Sequence, residues 1–467
     1  GYVQTPYMKM FSIRRRTKMS KAISRRNFLM ATGAVGAAGL LAACGSKPAA
    51  SSTASSAAAS QAPAASADES LALSDGPVNL SISWWGGDSR HAAYQSALEA
   101  FQAEHSNITV EPTFAAWSGW EEKMAAAFIA GNAQDVCQVN WNWLYNYSAD
   151  GSKFVDLNTT SKFIDLTQWD AAAMDACYVA NSQQCVPVSM TGRIFYWNMT
   201  TFNKAGITEV PKSLDDLMAA GKAFQEKLGN DYYPMHLGAY DRMILMVFYL
   251  ESKYGKDWAD PTTSTLNYDA DQIAEGIDFI KSLVDNHVMM NLKTYYSANS
   301  DTATHQSNEW ITGKIAGIFE WDSAASKYSS ALDDSNKDGF TVGEEIKFGD
   351  NNGGFSKVSM GLAITKTCKN VAEAATLINF LLNEEKGASI MGSECGIPAS
   401  KAGLKFAQDA GAVKELVAEA NAKVMAFTTN KLDPLFENND LKASGTGIYQ
   451  EVFDNIDYGD QTPEEAV

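Results

Sequence analysis

Indole rings and polar side chains recur together at four points in the chain. Trp84-Trp85-Gly86-Gly87-Asp88-Ser89-Arg90-His91 is the first and Trp117-Ser118-Gly119-Trp120 the second. Asn140-Trp141-Asn142-Trp143 and Glu320-Trp321-Asp322 are the third and fourth. An indole offers a broad apolar face and one N–H donor, while Arg, His, Asn and Asp offer directional hydrogen bonds. Such sets suit the grip of a molecule with weakly apolar faces and polar edges. No GxSxG, HExxH or phosphate-loop motif occurs, and the five histidines show no metal-ligand spacing. Carboxylates are plentiful, so counting alone leaves a glycosidase-type pair open. The alternative for every one of these aromatics is packing in a core.

Each set falls where a strand ends and a helix begins. Val78, Leu80 and Ile82 alternate with polar residues, two glycines break the run, and Tyr94, Ala97, Leu98 and Phe101 then recur at helical spacing. Asp88 is the expected N-cap of that helix. Ile108–Val110 is a second short strand, and Ser118 with Glu121 forms a capping box for a helix running to Gly131. Residues 135–139 are a third strand, leading into Asn140 and Trp141. In an open α/β sheet, ligands sit outside the carboxyl ends of strands, which is where these rings would gather. Farther on, Ser213 with Asp216 caps a helix reaching Leu228, and Met243–Leu250 reads as a buried helix with Arg242 at its polar start. Ile315–Phe319 reads as a buried strand.

The formal net charge is −18, yet the first 43 residues hold no Asp or Glu. The remainder is therefore more acidic still. That disfavours nucleic acid, whose phosphates need a basic face, and adsorption to anionic lipid. Residues 1–43 read as an export signal with its natural start at Met19. Ser24-Arg25-Arg26-Asn27-Phe28-Leu29 resembles a twin-arginine motif, and Leu41-Ala42-Ala43-Cys44 resembles a lipobox. Lipid on Cys44 would anchor the chain to the outer face of the cytoplasmic membrane. Residues 44–75, rich in Ser, Ala and Pro, are expected to form a flexible linker. Five cysteines remain after Cys44. None has CxxC spacing; Cys177 and Cys185 are near enough in sequence to pair, and packed, unpaired thiols are favoured.

About 390 residues follow the linker, more than one core comfortably holds, so two lobes are expected. The stretches WWGGDSRH, AWSGWEEK, QVNWNWL and Pro187-Val-Ser-Met-Thr191-Gly-Arg193-Ile-Phe-Tyr196-Trp-Asn198 succeed one another in a familiar order. They resemble the bacterial extracellular solute-binding proteins (family 1) of ABC-type sugar transporters, the oligogalacturonide-binding members most of all. The resemblance implies a two-lobed α/β fold of the periplasmic-binding-protein kind (type II, maltose-binding-protein-like), hinged between lobes. It puts the N-terminal lobe at residues 76–189 and 350–402, and the C-terminal lobe at 190–349 and 403–467. Val186–Tyr196 would be the first crossing, with Pro187 and Gly192 as hinge residues.

The resemblance further implies a monomeric receptor that holds an oligosaccharide between its lobes and hands it to permease subunits, with no catalysis and no cofactor. Trp85, Trp117, Trp141 and Trp321 are the candidate sugar platforms, with Trp84 and Trp120 in the same candidate ligand-binding set. Arg90, His91, Asn140, Arg193 and Asp322 are candidate hydrogen-bonding groups, and Gly86 and Gly353 complete the candidate ligand-binding set. A uronate carboxylate would want a bidentate arginine, Arg193 or Arg90. A surface carbohydrate-active enzyme and a sugar-sensing subunit are the alternatives. No metal site is assigned, although Asp334, Asn336, Asp338, Gly339 and Glu345 match the spacing of a calcium loop; an acidic turn before a strand is the simpler account. Thr462-Pro463-Glu464-Glu465 is a helix start, from which a longer natural chain is expected.

Overall fold

Val78–Trp85 forms strand β1, and its alternation survives only in part. Val78, Leu80, Ile82 and Trp84 are buried as the pattern predicts, but Ser83 and Trp85 are buried too. Both faces of the strand are covered, as in parallel sheets generally. The computed structural model describes residue 68 and residues 70–117, 119–260, 265–300 and 302–467. The export signal, the lipobox with Cys44 and most of the linker lie outside the described residues. The described end of the linker is tied down rather than loose. The Ser74 N–H donates to Glu373 Oε1 at 2.6 Å, and the Asp68 N–H to the Thr159 carbonyl at 2.9 Å.

Helix α1, Asp88–Glu104, buries Tyr94, Ala97, Leu98 and Phe101. Its N-cap is Gly87, one residue before the expected Asp88, and no side chain caps it. Strand β2 (Ile108–Ala115) runs parallel to β1, helix α2 is Trp120–Ala130, and strand β3 (Val136–Asn140) lies parallel on the other side of β1. Ser118, half of the capping box expected for α2, lies outside the described residues. Gly119 occupies the cap position with φ 71°, and the Glu121 carboxylate accepts a hydrogen bond from Trp143 Nε1 at 3.1 Å.

Strand β4, Val186–Asn198, carries the architecture across. Residues 186–192 pair antiparallel with β7 (Ser356–Ile364), which in turn pairs antiparallel with β3. Residues 193–197 pair with β5 (Gly317–Trp321), and residues 196–198 with β6 (Phe340–Val342). One strand thus belongs to two sheet regions, and its thirteen residues span about 40 Å at the usual rise. The changeover is at Gly192, where an added Cβ would stand 2.5 Å from Val424 Cγ1 and 2.9 Å from the Phe355 carbonyl oxygen. Only a residue without a side chain lets the returning chain approach so closely.

Two helices of the second region complete the frame. Helix α3, Leu214–Leu228, starts as its sequence predicts: Ser213 Oγ accepts from the Asp216 N–H at 3.1 Å. Helix α4, Ala239–Tyr254, is buried along most of its length. Arg242 does not reach toward solvent; it is fully buried, and its Nη1 binds Asp457 at 2.8 Å.

The calcium-loop spacing has a different use. Asn336 turns inward, its Oδ1 accepting from Asn198 Nδ2 at 3.0 Å, and Lys337 pairs with Asp334 at 2.7 Å. Cys137, Cys177, Cys185, Cys368 and Cys395 are free and buried. Thr462 and Glu465 cap one another across a single turn. Among the described residues, no helix is long and apolar enough to cross a membrane.

Candidate functional site

Strands β1 and β3 end side by side, and their mouths open on the same space as the middle of β4, the start of α4 and the end of β5. The result is a cleft of about 1180 Å³. Trp85, Gly86 and Arg90 line it from the turn after β1, Trp117 from the turn before α2, and Asn140 from the end of β3. Arg193 lines it from β4 and Trp321 from β5. Seven of the thirteen sequence-predicted ligand residues therefore converge there, although they are spread over more than two hundred positions.

The others are drawn elsewhere, and each has a physical reason. Trp84 is fully buried, with its ring stacked on Tyr94 (4.5 Å) and on Phe114 (4.9 Å) and its Nε1 donating to His91 Nδ1 at 3.0 Å. That bond commits His91 as well, which lies against Phe114 outside the cleft. Trp84 and His91 point to the opposite face of β1 from Trp85, because neighbours on a strand alternate. Trp120 is buried on the inner side of α2. Trp141 is 5 % exposed and donates to the Ala176 carbonyl at 3.1 Å. Gly353 packs on helix α4, where an added Cβ would lie 2.2 Å from the Phe248 carbonyl oxygen. Asp322 is buried just behind the wall. It accepts from Thr191 Oγ1 and, at 2.6 Å, from Asn421 Nδ2, so it positions Thr191, which does face the cleft.

The charged lining is richer than the sequence suggested. Arg90, Arg193, Lys327, Lys357, Lys414 and Lys442 are matched by Glu121, Glu122, Asp241, Glu320, Glu394 and Glu437. Arg193 is 1 % exposed, and its Nη1 lies 2.8 Å from Asp241 Oδ1 and 3.0 Å from Glu320 Oε1. Burial alone would lower its pKa, but Glu320 and Asp241 outweigh that and raise it. Burial pushes the Asp241 carboxyl up to about 6, with Arg193 only partly opposing. Glu320 is held below its ordinary value, because Arg193 and Lys327 overcome its burial.

A second network lies deeper. Lys357, on β7, binds Glu437 at 2.7 Å, and Tyr240 donates to the same oxygen at 2.8 Å. Burial lowers the Lys357 pKa against the pull of Glu437. Glu437 is buried as well, but Lys357 and Lys442 together bring its carboxyl down to about 2. Its other oxygen, Oε2, is buried without a hydrogen-bond partner, as is Arg193 Nε. An acceptor and a donor left open beside a cleft are what a polar guest would complete.

Lys357, Glu437, Tyr240, Asp241, Glu320 and Lys442 were not among the predicted site residues. Glu320 could have been found, since it adjoins Trp321 at a strand mouth. Lys357 and Glu437 carry no local signal, because each owes its place to the other across a long stretch of intervening chain. Among the described residues, no three His, Cys, Asp or Glu side chains stand close enough to hold a metal ion. The cleft offers aromatic faces, charged edges and buried acceptors, which is equipment for holding a hydroxyl-rich molecule.

Comparison with known proteins gives concordant results. The family model described as bacterial extracellular solute-binding protein matches residues 87–388. A periplasmic oligogalacturonide binding protein from Yersinia enterocolitica, solved with saturated digalacturonic acid, is 34 % identical. The match covers 83 % of this chain and 96 % of that one, with a TM-score of 0.77. A periplasmic solute binding protein from Pectobacterium atrosepticum is 33 % identical over the same shares, with a TM-score of 0.78. The GacH receptor of Streptomyces glaucescens, at 19 % identity, is similar in fold; its TM-score is 0.69, over 84 % of this chain and 95 % of that one. Among curated relatives, a protein named as a binding protein in Brucella abortus is 23 % identical over 144 residues. That match spans 30 % of this chain and about a third, 34 %, of the relative.

Proposed function

The chain belongs to the family of bacterial extracellular solute-binding proteins, and from that premise we propose that it is the receptor of an ABC-type importer of oligosaccharides, with galacturonides as the favoured class. The observation that carries the reading is the meeting of Trp85 and Trp117 with Arg193, Lys357 and Glu437 in one cleft. A sugar has weakly apolar C–H faces and hydroxyl edges. The indoles take the faces, and the charged groups take the edges through charge-assisted hydrogen bonds. The protein from Yersinia enterocolitica, solved with digalacturonic acid, supports the acidic-sugar choice by its likeness along most of this chain.

In this reading the lobes are residues 76–189 with 350–402, and 190–349 with 403–467. They close over the ligand about the β4 and β7 crossings, and the closed surface is what the permease subunits meet. The receptor works as a monomer, exported and held to the outer face of the cytoplasmic membrane by lipid on Cys44. No step of catalysis is assigned to it.

Calorimetric titration of the protein with short galacturonides, beside neutral xylo-, malto- and galacto-oligosaccharides, tests the reading. Saturable binding of a galacturonide supports the receptor role and the ligand class. Binding of a neutral sugar alone keeps the receptor role and discards the ligand class. Release of shortened products in place of binding overturns it in favour of an enzyme.

A further inference from the structure

Of the six cations that line the cleft among the described residues, five are committed or peripheral. Arg193 is held by Asp241 and Glu320, Lys357 by Glu437 and Lys414 by Glu394 at 2.9 Å. Arg90 donates from Nε to the Glu394 carbonyl at 3.0 Å and from Nη1 to the Trp85 carbonyl at 3.1 Å. Lys327 is exposed at the rim. Lys442 differs. Its side chain is only 14 % exposed, yet the carboxylate oxygen it pairs with, Glu121 Oε2, stands 3.6 Å away, beyond a hydrogen bond.

The neighbour of Lys442 across the cleft is Trp117, whose ring centroid lies 5.7 Å from the ammonium nitrogen. Trp117 is 40 % exposed, the one large aromatic of the cleft with that much free surface among the described residues. Resting on the proposed function above, we infer that Lys442 and Trp117 together recognise one uronic acid unit: the ring of the sugar lies on the indole and its carboxylate meets the ammonium. A pyranuronate carries its carboxylate at the ring edge, so a sugar stacked on the indole can turn that group toward the Lys442 ammonium, 5.7 Å from the ring centroid. Lys442 then exchanges a long contact for a short charge-assisted bond of roughly 2.7–2.9 Å. Glu121 loses little by the exchange, since its other oxygen keeps the bond from Trp143. Lys442 and Lys357 face Glu121 and Glu437, so the incoming anion meets a locally neutral wall rather than a negative one.

This moves the carboxylate-reading role from Arg193 and Arg90, favoured on sequence, to a lysine. Both arginines are anchored to protein acceptors at 3.1 Å or less, Arg193 with its buried Nε left open, whereas the carboxylate oxygen paired with the Lys442 ammonium stands 3.6 Å away.

The test is titration of digalacturonate, and of its carboxyl-reduced neutral counterpart, into the wild-type protein and the variants Lys442→Met, Lys442→Arg and Lys386→Met. Lys386 is a surface residue paired with Glu104 and reports any general effect of one lost positive charge. Lys442→Met is expected to weaken digalacturonate binding roughly tenfold to a hundredfold, Lys442→Arg to restore most of it, and Lys386→Met to change nothing. The neutral counterpart should bind the wild type more weakly than digalacturonate by a similar factor, a readout that needs no variant to fold. Equal digalacturonate affinity in wild type and Lys442→Met, or an equal loss in Lys386→Met, overturns the inference and leaves the receptor reading intact. A wild-type protein that binds no sugar at all overturns the receptor reading itself.

Discussion

Arg193 and Trp321 are direct partners across β4 and β5, and the guanidinium carbon of Arg193 lies 4.1 Å from the centre of the Trp321 ring. Lys357 stands over the same ring at 4.8 Å. Trp321 is therefore a ring with two cations on it. The cations also carry three carboxylates between them, so the wall of the cleft is a charge lattice built around one indole.

Removing Arg193 should harm the fold before it harms the ligand. Arg193→Met leaves Asp241 and Glu320 side by side without their shared cation. Losing one partner of a buried ion pair costs about 3–5 kcal/mol, and the lower end applies because both carboxylates keep some solvent. Chemical denaturation should show a loss of about 3 kcal/mol. The loss should shrink toward about pH 5, since a carboxyl already raised to about 6 can take a proton.

Glu251 should make the protein less stable as pH rises through neutrality. It is fully buried on α4, one oxygen accepting from the Gly354 N–H at 2.9 Å and the other without a partner. Burial lifts its carboxyl from 4.5 to about 8. A pKa raised on folding means that the native state binds the proton more tightly. The stability from this group is complete below pH 4.5 and is lost as pH climbs through about 8. Asp241 and Asp322, raised to about 6, have finished titrating by then, and the buried histidines and cysteines contribute equally to wild type and variant, so the difference between them from about pH 7 to 8 reads Glu251. Glu251→Gln should flatten the unfolding free energy there; an unchanged slope refutes the assignment.

Trp117→Ala should cost binding and spare stability. Its ring touches Trp85 at 5.1 Å and Trp143 at 6.2 Å, but its outer surface is open. A loss of about 1–2 kcal/mol in sugar affinity is expected from the missing aromatic contact. The thermal midpoint should stay within a few degrees of wild type. A large drop in midpoint would show that the ring is structural after all.

Gly353→Ala should destabilise through backbone crowding alone. The new methyl would sit 2.2 Å from the Phe248 carbonyl oxygen and 2.9 Å from Ser252 Cβ. Overpacking of this kind costs about 1–3 kcal/mol. Gly76→Ala, whose Cβ would meet only Ser74 Oγ at 3.7 Å, is the matched control and should be nearly neutral. Comparing the two by denaturant melts separates steric cost from the general effect of replacing glycine.

Much of the frame was legible in the order of residues alone. The strand at Val78–Trp85, the helix at Asp88 and the Ser213 cap follow from periodicity and from local hydrogen bonds, which act over a few residues. Glu121, read as a capping partner at the start of α2, shows the opposite case: its carboxylate accepts from the Trp143 indole 22 residues on, a buried donor that local spacing does not reveal. Trp84 and Trp85 show the limit most sharply. They are adjacent, chemically identical and equally plausible as platforms. Which of them meets the cleft depends on which face of β1 is covered by α1, where Tyr94 and the neighbouring Phe114 stack on Trp84.

The sequence by itself determined the family, the order of strands and helices, and the concentration of indoles at strand mouths. These rest on residue type and short spacing, which a chain carries wherever it goes. Only the tertiary structure decided which indoles are walls and which are core, and which carboxylate each cation holds. Arg193 with Asp241, Lys357 with Glu437 and Lys442 with Glu121 are pairs between remote segments. Coulomb attraction and desolvation depend on distance and burial in space, and neither is written in the local sequence of either partner.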